Sequence, residues 1–435
     1  MLRKILVNFS ARFGVAVINF LVLLLTTNYL GSGARGEISL IALGLNIVHL
    51  ISDIAGGPSM VYLVPRVSTF TLLALGYVWS VCCVTLIGIP LVYFNLIPQE
   101  FGTDILLLSL LVSLHSVHMN ILLGKEQIRT HSLLLFLQAM VLITAMFVYI
   151  RFFGGDSTQV FITGAYLAYG AVLLCSTFVL WPQIGAKQIE NLRKIFSTLF
   201  RNGFFTQLAS LTHQLSIRVN FYIIGAIPFF TFANNYQLSS KQAIGLYSTA
   251  ISLAETILIF SQSVATVMMA RAANVGEQER TRRLALQCSK LSLAITLPAI
   301  ALFLLLPAEF YVMLLGKDFL VVKQVFVPLA TGIAALSFGT VYSHYFSGMG
   351  KHYMNAVSGI VALCVTFSTA FYFIPRYGLE GASISAAMAS SSMSLTIFLL
   401  FLFERGTSPK QTLRHFFSLQ DWHLLKEQFR KLLKK

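Results

Sequence analysis

The sequence predicts an all-α polytopic membrane protein of about twelve transmembrane helices, six in each half. Three observations carry that expectation. Hydrophobic residues fill 56% of the 435 positions and charged residues only 11%, with a mean hydropathy of +0.77, whereas a soluble domain carries about a quarter charged residues. Apolar runs of about 20 residues, enough to cross roughly 30 Å of hydrocarbon as helices, recur along nearly the whole chain. Lys and Arg fall on alternate sides of those runs in very unequal numbers.

The expected spans are 13–30, 38–64, 71–94, 105–123, 132–150, 159–181, 204–228, 244–268, 286–306, 325–347, 354–374 and 381–403. The runs are continuous rather than alternating, which selects helices over barrel strands, because each helix satisfies its own backbone. The first follows Arg3 and Lys4 as a secretory leader would, but it is long and more spans follow, so it reads as a retained crossing. The second ends at the sequence GGP, residues 56–58, where a helix can bend or open. On the fourth, His115 and His118 stand at i, i+3 without a carboxylate or thiol beside them, which favours interhelical hydrogen bonds over a metal. Cys82, Cys83, Cys175, Cys288 and Cys364 lie in or beside apolar runs without metal-ligand spacing and read as small hydrophobes.

The polar, basic segment 182–203 separates six spans from six. It divides the chain into an N-terminal lobe (1–181), a cytoplasmic linker (182–203), a C-terminal lobe (204–403) and a tail (404–435). A weak repeat agrees with two halves: Gly36 and Ser39 in GARGEISL match Gly245 and Ser248 in AIGLYSTA, 209 residues later. Parallel repeats of this kind place a site between the halves near the midplane. In the tail, Trp422, Leu425, Phe429 and Leu432 recur at helical spacing among Lys and Arg, which suits a helix lying on anionic headgroups; a solvated tail is the alternative.

With the N-terminus inside, 24 Lys and Arg residues fall on the cytoplasmic side and 6 outside, leaving Arg218 within a span. That asymmetry is the positive-inside pattern, and it puts both termini in the cytoplasm. It also accounts for the net charge of +15 without nucleic acid as a partner. No P-loop, nucleophile elbow or catalytic carboxylate pair is present, so the chain is not expected to be an enzyme, and no cofactor is expected.

Few ionisable residues enter the spans, and an intramembrane charge normally faces a cavity or a partner. Arg218 is the sharpest case. On a continuous helix, Ser210, Gln214, Arg218 and Tyr222 form one stripe at i+4 spacing. A guanidinium matches phosphate oxygens and keeps its charge, so Arg218 is a candidate anion site, with Gln214 and Tyr222 beside it. The competing reading is a permanent ion pair with Asp53 or Glu255, or a side chain snorkelling to an interface. Span 1 adds a stripe of Arg12, Asn19 and Thr26, span 2 adds Asn46, His49 and Asp53, and span 8 adds Ser248, Glu255 and Gln262. Asp53, Glu255 and His49 are the candidates for coupling or gating, with H+ or Na+ as the coupling ion.

Three stretches resemble the Wzx-like lipid-linked oligosaccharide flippases of polysaccharide biosynthesis, in the multidrug/oligosaccharidyl-lipid/polysaccharide exporter superfamily. They are NYLGSGARGEISL (28–40), IGLYSTAISLAE (244–255), and GMGKHYMNAV leading to FIPRYGLEGASISAAMAS (348–390), with Ile38 standing where the family usually has an aromatic. The resemblance implies two six-helix lobes around a central cavity that carries basic residues, a role Arg218 suits by type and place. It implies a cargo of oligosaccharide units, such as O-antigen repeats, on undecaprenyl diphosphate, moved by alternating access across a bacterial inner membrane. It further implies membrane lipids and polysaccharide polymerase and ligase machinery as partners. A cation-coupled multidrug antiporter of the same superfamily is the alternative, which would favour carboxylates and aromatics over a central arginine.

Overall fold

The computed structural model describes residues 2–57, 59–154, 157–184, 191–231, 237–274 and 278–404. They are almost entirely helical. α1 (Leu2–Leu25) runs through a π-helical turn at Thr26–Leu30 into α2 (Gly31–Gly56), and the short α3 (Ser59–Leu63) follows. α4 (Thr69–Cys83) and α5 (Ile89–Tyr93) are joined by a second π-helical turn and lead to α6 (Gly102–Gly124), α7 (Ile128–Phe153) and α8 (Gln159–Leu180). α9 (Leu192–Arg218), α10 (Asn220–Gly225), a hairpin of β1 (Phe229–Thr231) and β2 (Gln237–Ser239), and α11 (Ser240–Asn274) come next. α12 (Gln278–Leu305), α13 (Ala308–Leu315), α14 (Val322–Gly348) and α15 (His352–Leu402) complete the described chain.

Among the described residues, nine helical runs are long and apolar enough to cross a membrane. Two of them, of 48 and 51 residues, would each extend about 70 Å at 1.5 Å per residue, far beyond one crossing. Both are broken. In the first, Gly31 at φ 76° and ψ 179° ends the π-helical turn and starts a new helix. In the second, Gly378 at φ 57° and ψ −132° interrupts α15, a conformation that glycine adopts without a Cβ clash. Thr369 and Ser385, 16 positions apart, share a hydroxyl hydrogen bond of 2.8 Å, whereas an unbroken helix would hold them about 24 Å apart. α15 is therefore a helical hairpin, and the expected loop between 374 and 381 shrinks to the single break at Gly378. The nine runs thus become eleven legs. α9 and α10 occupy the seventh expected span; they are helical but too polar to qualify by composition.

The chain forms two compact units. The first holds residues up to Leu211 together with Pro228–Thr249 and Val312–Phe319; the second holds Thr212–Ile227, Ala250–Tyr311 and the chain from Leu320 onward. In the first unit, Leu63, Leu72, Leu122, Leu134, Leu180, Ile195 and Leu199 share one apolar cluster. Ile195 and Leu199 belong to α9, which begins inside the segment 182–203 read as a linker. In the second unit, Tyr342, Phe398 and Phe401 stack in the core, while Gly332 and Gly339 let α14 approach Ala387 and Ser394 of α15. Small residues at such crossings are what helix packing in lipid requires, since lipid supplies no hydrophobic drive between helices.

The repeated glycines meet each other. A Cβ on Gly36 would lie 1.9 Å from the Lys241 carbonyl oxygen, and a Cβ on Gly245 would lie 1.9 Å from that of Ser32. Each glycine thus faces the carbonyl four residues before the other, so α2 and α11 cross with local two-fold symmetry. Asp318 fixes the start of α2 by accepting from the Ser32 amide and hydroxyl, both at 3.1 Å, a favourable place for a carboxylate.

Candidate functional site

Arg218 is the last residue of α9, where the helix breaks before α10. Two contacts within the second unit hold that break. Thr366 of α15 donates to the Ser216 carbonyl at 2.7 Å, and the Asn220 amide donates to the Ala382 carbonyl at 3.1 Å. The backbone oxygen that a straight helix would have paired with residue 220 is thereby satisfied by a side chain. Val219 keeps helical dihedrals of φ −57° and ψ −30°, so the chain goes on turning into α10, where Tyr222 is partly buried. Gln214 lies one turn before Arg218 and is also partly buried. Ser210 donates to the Thr206 carbonyl.

One nitrogen of Arg218, Nη2, lies 3.4 Å from Glu255 Oε1 on α11, with side-chain exposures of 17% and 47%. The expected partner was Asp53 or Glu255; it is Glu255. Arg218 Nε is buried without a hydrogen-bond partner, as is Nε2 of His213 on the same helix. A single contact at 3.4 Å exceeds ordinary N–H···O distances, and an ion pair with a half-exposed carboxylate contributes about 0–1 kcal/mol. A planar oxyanion that takes two guanidinium nitrogens at once can displace it.

The second candidate cluster is in the first unit. Asp53 Oδ1 accepts from the Ser116 hydroxyl at 2.8 Å and lies 3.7 Å from His49 Nδ1. Asn120 donates to the Ser116 hydroxyl at 3.2 Å, so a chain of polar groups runs from α2 to α6. The 3.7 Å separation of His49 from Asp53 is too long for a hydrogen bond, and His49 Nδ1 is buried without one. Asn19 is exposed on α1. The side chain of Arg12 and the tail beyond Glu404 lie outside the described residues. His118 bonds Ser176 at 2.7 Å and also Tyr77, the interhelical hydrogen bonding expected for it.

Two charged networks escaped the sequence reading. Glu37 bonds both Lys241 and Thr158 in the first unit, with Glu100 3.9 Å from the same lysine. In the second, Glu404 accepts from Arg282 at 2.8 Å, Tyr345 at 2.8 Å and Lys351 at 2.6 Å. Burial alone would raise the Glu404 carboxyl, but the hydrogen bonds from Lys351 and Tyr345 and the charges of Lys351 and Arg282 outweigh it and hold it below its ordinary 4.5. Lys351 lies in the GMGKHY motif and Glu37 in GARGEISL, so the motifs carried a signal of place but not of partner.

No family model matches the sequence, and no curated protein matches it. Solved structures do match in fold. The lipid II flippase MurJ, in an inward closed conformation, aligns with a TM-score of 0.67 over 99% of this chain and 100% of its own, at 13% identity. An inward-facing multidrug resistance MATE family transporter of the MOP superfamily aligns at 0.65 over 91% of this chain and 97% of its own, at 14% identity. A MOP superfamily transporter from Pyrococcus furiosus, described by the reverse polarity of its binding pocket, aligns at 0.60 over 92% and 93%, at 16% identity. The chain has the fold of these transporters. It is an all-α polytopic membrane protein.

Proposed function

We propose that this chain is an alternating-access flippase that moves undecaprenyl-diphosphate-linked oligosaccharide units across a bacterial inner membrane, with both termini in the cytoplasm. The observation that carries this reading is the under-satisfied guanidinium of Arg218, which has one long contact to Glu255 and a buried Nε without a partner. A diphosphate offers paired oxygens that suit this fork better than a half-exposed carboxylate does. Its arrival releases Glu255, which is then free to take a proton or cation, and that exchange links cargo to a coupling ion. The sugars need a wet cavity and the polyprenyl chain can stay in lipid, so the charge is the part the protein must hold.

Transfer of lipid-linked sugars in vesicles containing only this protein tests the reading. Arg218→Ala should abolish transfer, and Arg218→Lys should retain part of it, because an ammonium keeps the charge and loses the fork. Wild-type transfer by a well-folded Arg218→Ala protein would end the anion-site reading. The second reading, a cation-coupled multidrug antiporter, is favoured by the 47% exposure of Glu255, a carboxylate open to a cationic ligand. It predicts that Glu255→Gln, and not Arg218→Ala, removes transport of organic cations.

A further inference from the structure

The first turns of α9 bury one face and leave an unusual one open. Ile195, Leu199, Gly203 and Gln207, spaced four apart, are buried. On the other side, Phe196, Ser197, Phe200, Arg201, Phe204 and Phe205 line a shallow recess of about 400 Å³. Leu192, Phe200, Phe204 and Phe205 are each at least a third exposed, and Arg193, Lys194 and Arg201 are exposed among them. A helix face in water is polar; a contiguous aromatic patch needs an apolar cover. Cations alternating with that patch specify a cover that is apolar and anionic together, which is a lipid carrying a phosphate.

The level of the patch agrees. Ile195 and Leu199 pack with Leu63, Leu72, Leu122, Leu134 and Leu180, each near a loop that the charge asymmetry places in the cytoplasm. We propose that this face of α9 binds an anionic phospholipid of the inner leaflet, its phosphate on Arg201 with Arg193 and Lys194 nearby, its chains over Phe200 and Phe204. The site is separate from Arg218 and does not depend on the cargo assigned above.

Trp79 reports on it directly, because its ring lies 5.4 Å from that of Phe196 and 6.0 Å from that of Phe200. The chain has three tryptophans, so a Trp181→Phe, Trp422→Phe protein keeps Trp79 alone. In nanodiscs of phosphatidylcholine doped with chain-brominated lipid, brominated phosphatidylglycerol should quench Trp79 more than brominated phosphatidylcholine at equal mole fraction. Each cation beside an anionic surface contributes about fivefold in binding, so the Arg193→Gln, Lys194→Gln, Arg201→Gln protein should lose on the order of a hundredfold in phosphatidylglycerol affinity. Its excess quenching should vanish, while Lys317→Gln should keep it. Equal quenching by both lipids, or an excess that survives the triple substitution in a protein with unchanged elution, would overturn the proposal. So would full recovery of fluorescence on adding a few mole percent of undecaprenyl diphosphate, since the face would then serve the cargo.

Discussion

Gly36→Ala tests the crossing of α2 and α11 with a number. The added methyl would sit 1.9 Å from the Lys241 oxygen, while real Cβ contacts essentially never fall below 3.0 Å, so the helices must part by about 1 Å. The Lys241 oxygen is backbone and cannot rotate away. Overpacking of this kind costs about 1–3 kcal/mol, and the upper end is expected because a whole helix must shift. That cost has to exceed the roughly 1 kcal/mol an alanine gains over glycine in a helix. Gly245→Ala should behave alike, its methyl meeting the Ser32 oxygen at 1.9 Å. One separation relieves both clashes, so the double variant should lose less than the sum of the singles, by about 1 kcal/mol. Gly170→Ala, with nothing within 4 Å of its added Cβ, is the control and should hold or gain stability. Denaturant unfolding in detergent, followed by fluorescence, reads all four proteins. A Gly36→Ala protein as stable as wild type, or strict additivity in the double variant, would refute a crossing held by these two glycines.

Three further outcomes are expected. Asp53→Asn and Glu255→Gln should each impair transport while expression is unchanged; normal transport by both under an imposed ion gradient removes them from coupling. On a cysteine-free background, a membrane-impermeant thiol reagent should label a cysteine placed at Lys317 and spare one at Arg280 in sealed cells, and labelling at 280 would reverse the orientation. Glu404→Gln should destabilise the protein by about 3–5 kcal/mol, since it removes the negative charge that lies 2.8 Å from the buried Arg282. Because the Glu404 carboxyl is held below its ordinary 4.5 in the folded state, its contribution is fully present above that value and fades as pH falls through the lower one. The stability of Glu404→Gln should therefore respond less to acid than wild type below about pH 4.5; equal acid sensitivity would show that Glu404 is not the group being titrated.

The spans were legible because a helix in lipid must pair its own backbone groups, so hydropathy alone marks it. Breaks were less so. The residues between 374 and 381, rich in turn formers, read as a loop, yet one glycine at 378 reverses the chain. The basic residues before 203 read as a linker, because exposed cations mask the buried face of Ile195 and Leu199. The match of Gly36 with Gly245 was visible, but not its meaning, since a sequence records no contact between residues 209 apart. Spacing likewise placed Arg218 on a polar face without choosing between Asp53 and Glu255. Partners on separate helices depend on helix rotation and level, which periodicity within one helix does not carry.

Glu404 and Arg218 differ in how completely their charges are satisfied. Glu404 is 7% exposed and has three hydrogen-bond donors on it at 2.6–2.8 Å, from an arginine, a lysine and a tyrosine. Removing it from water is costly, and those contacts offset the cost only in that one geometry, so the network ties α12, α14 and α15 together and resists exchange. Arg218 is the opposite case. Its one acceptor is half exposed and 3.4 Å away, and its buried Nε goes unmatched. A group that polar would be expelled from a span or fully paired if it served only the fold. Under the function proposed above, the oxygens of the cargo's diphosphate would complete the shell that Glu255 leaves open around Arg218.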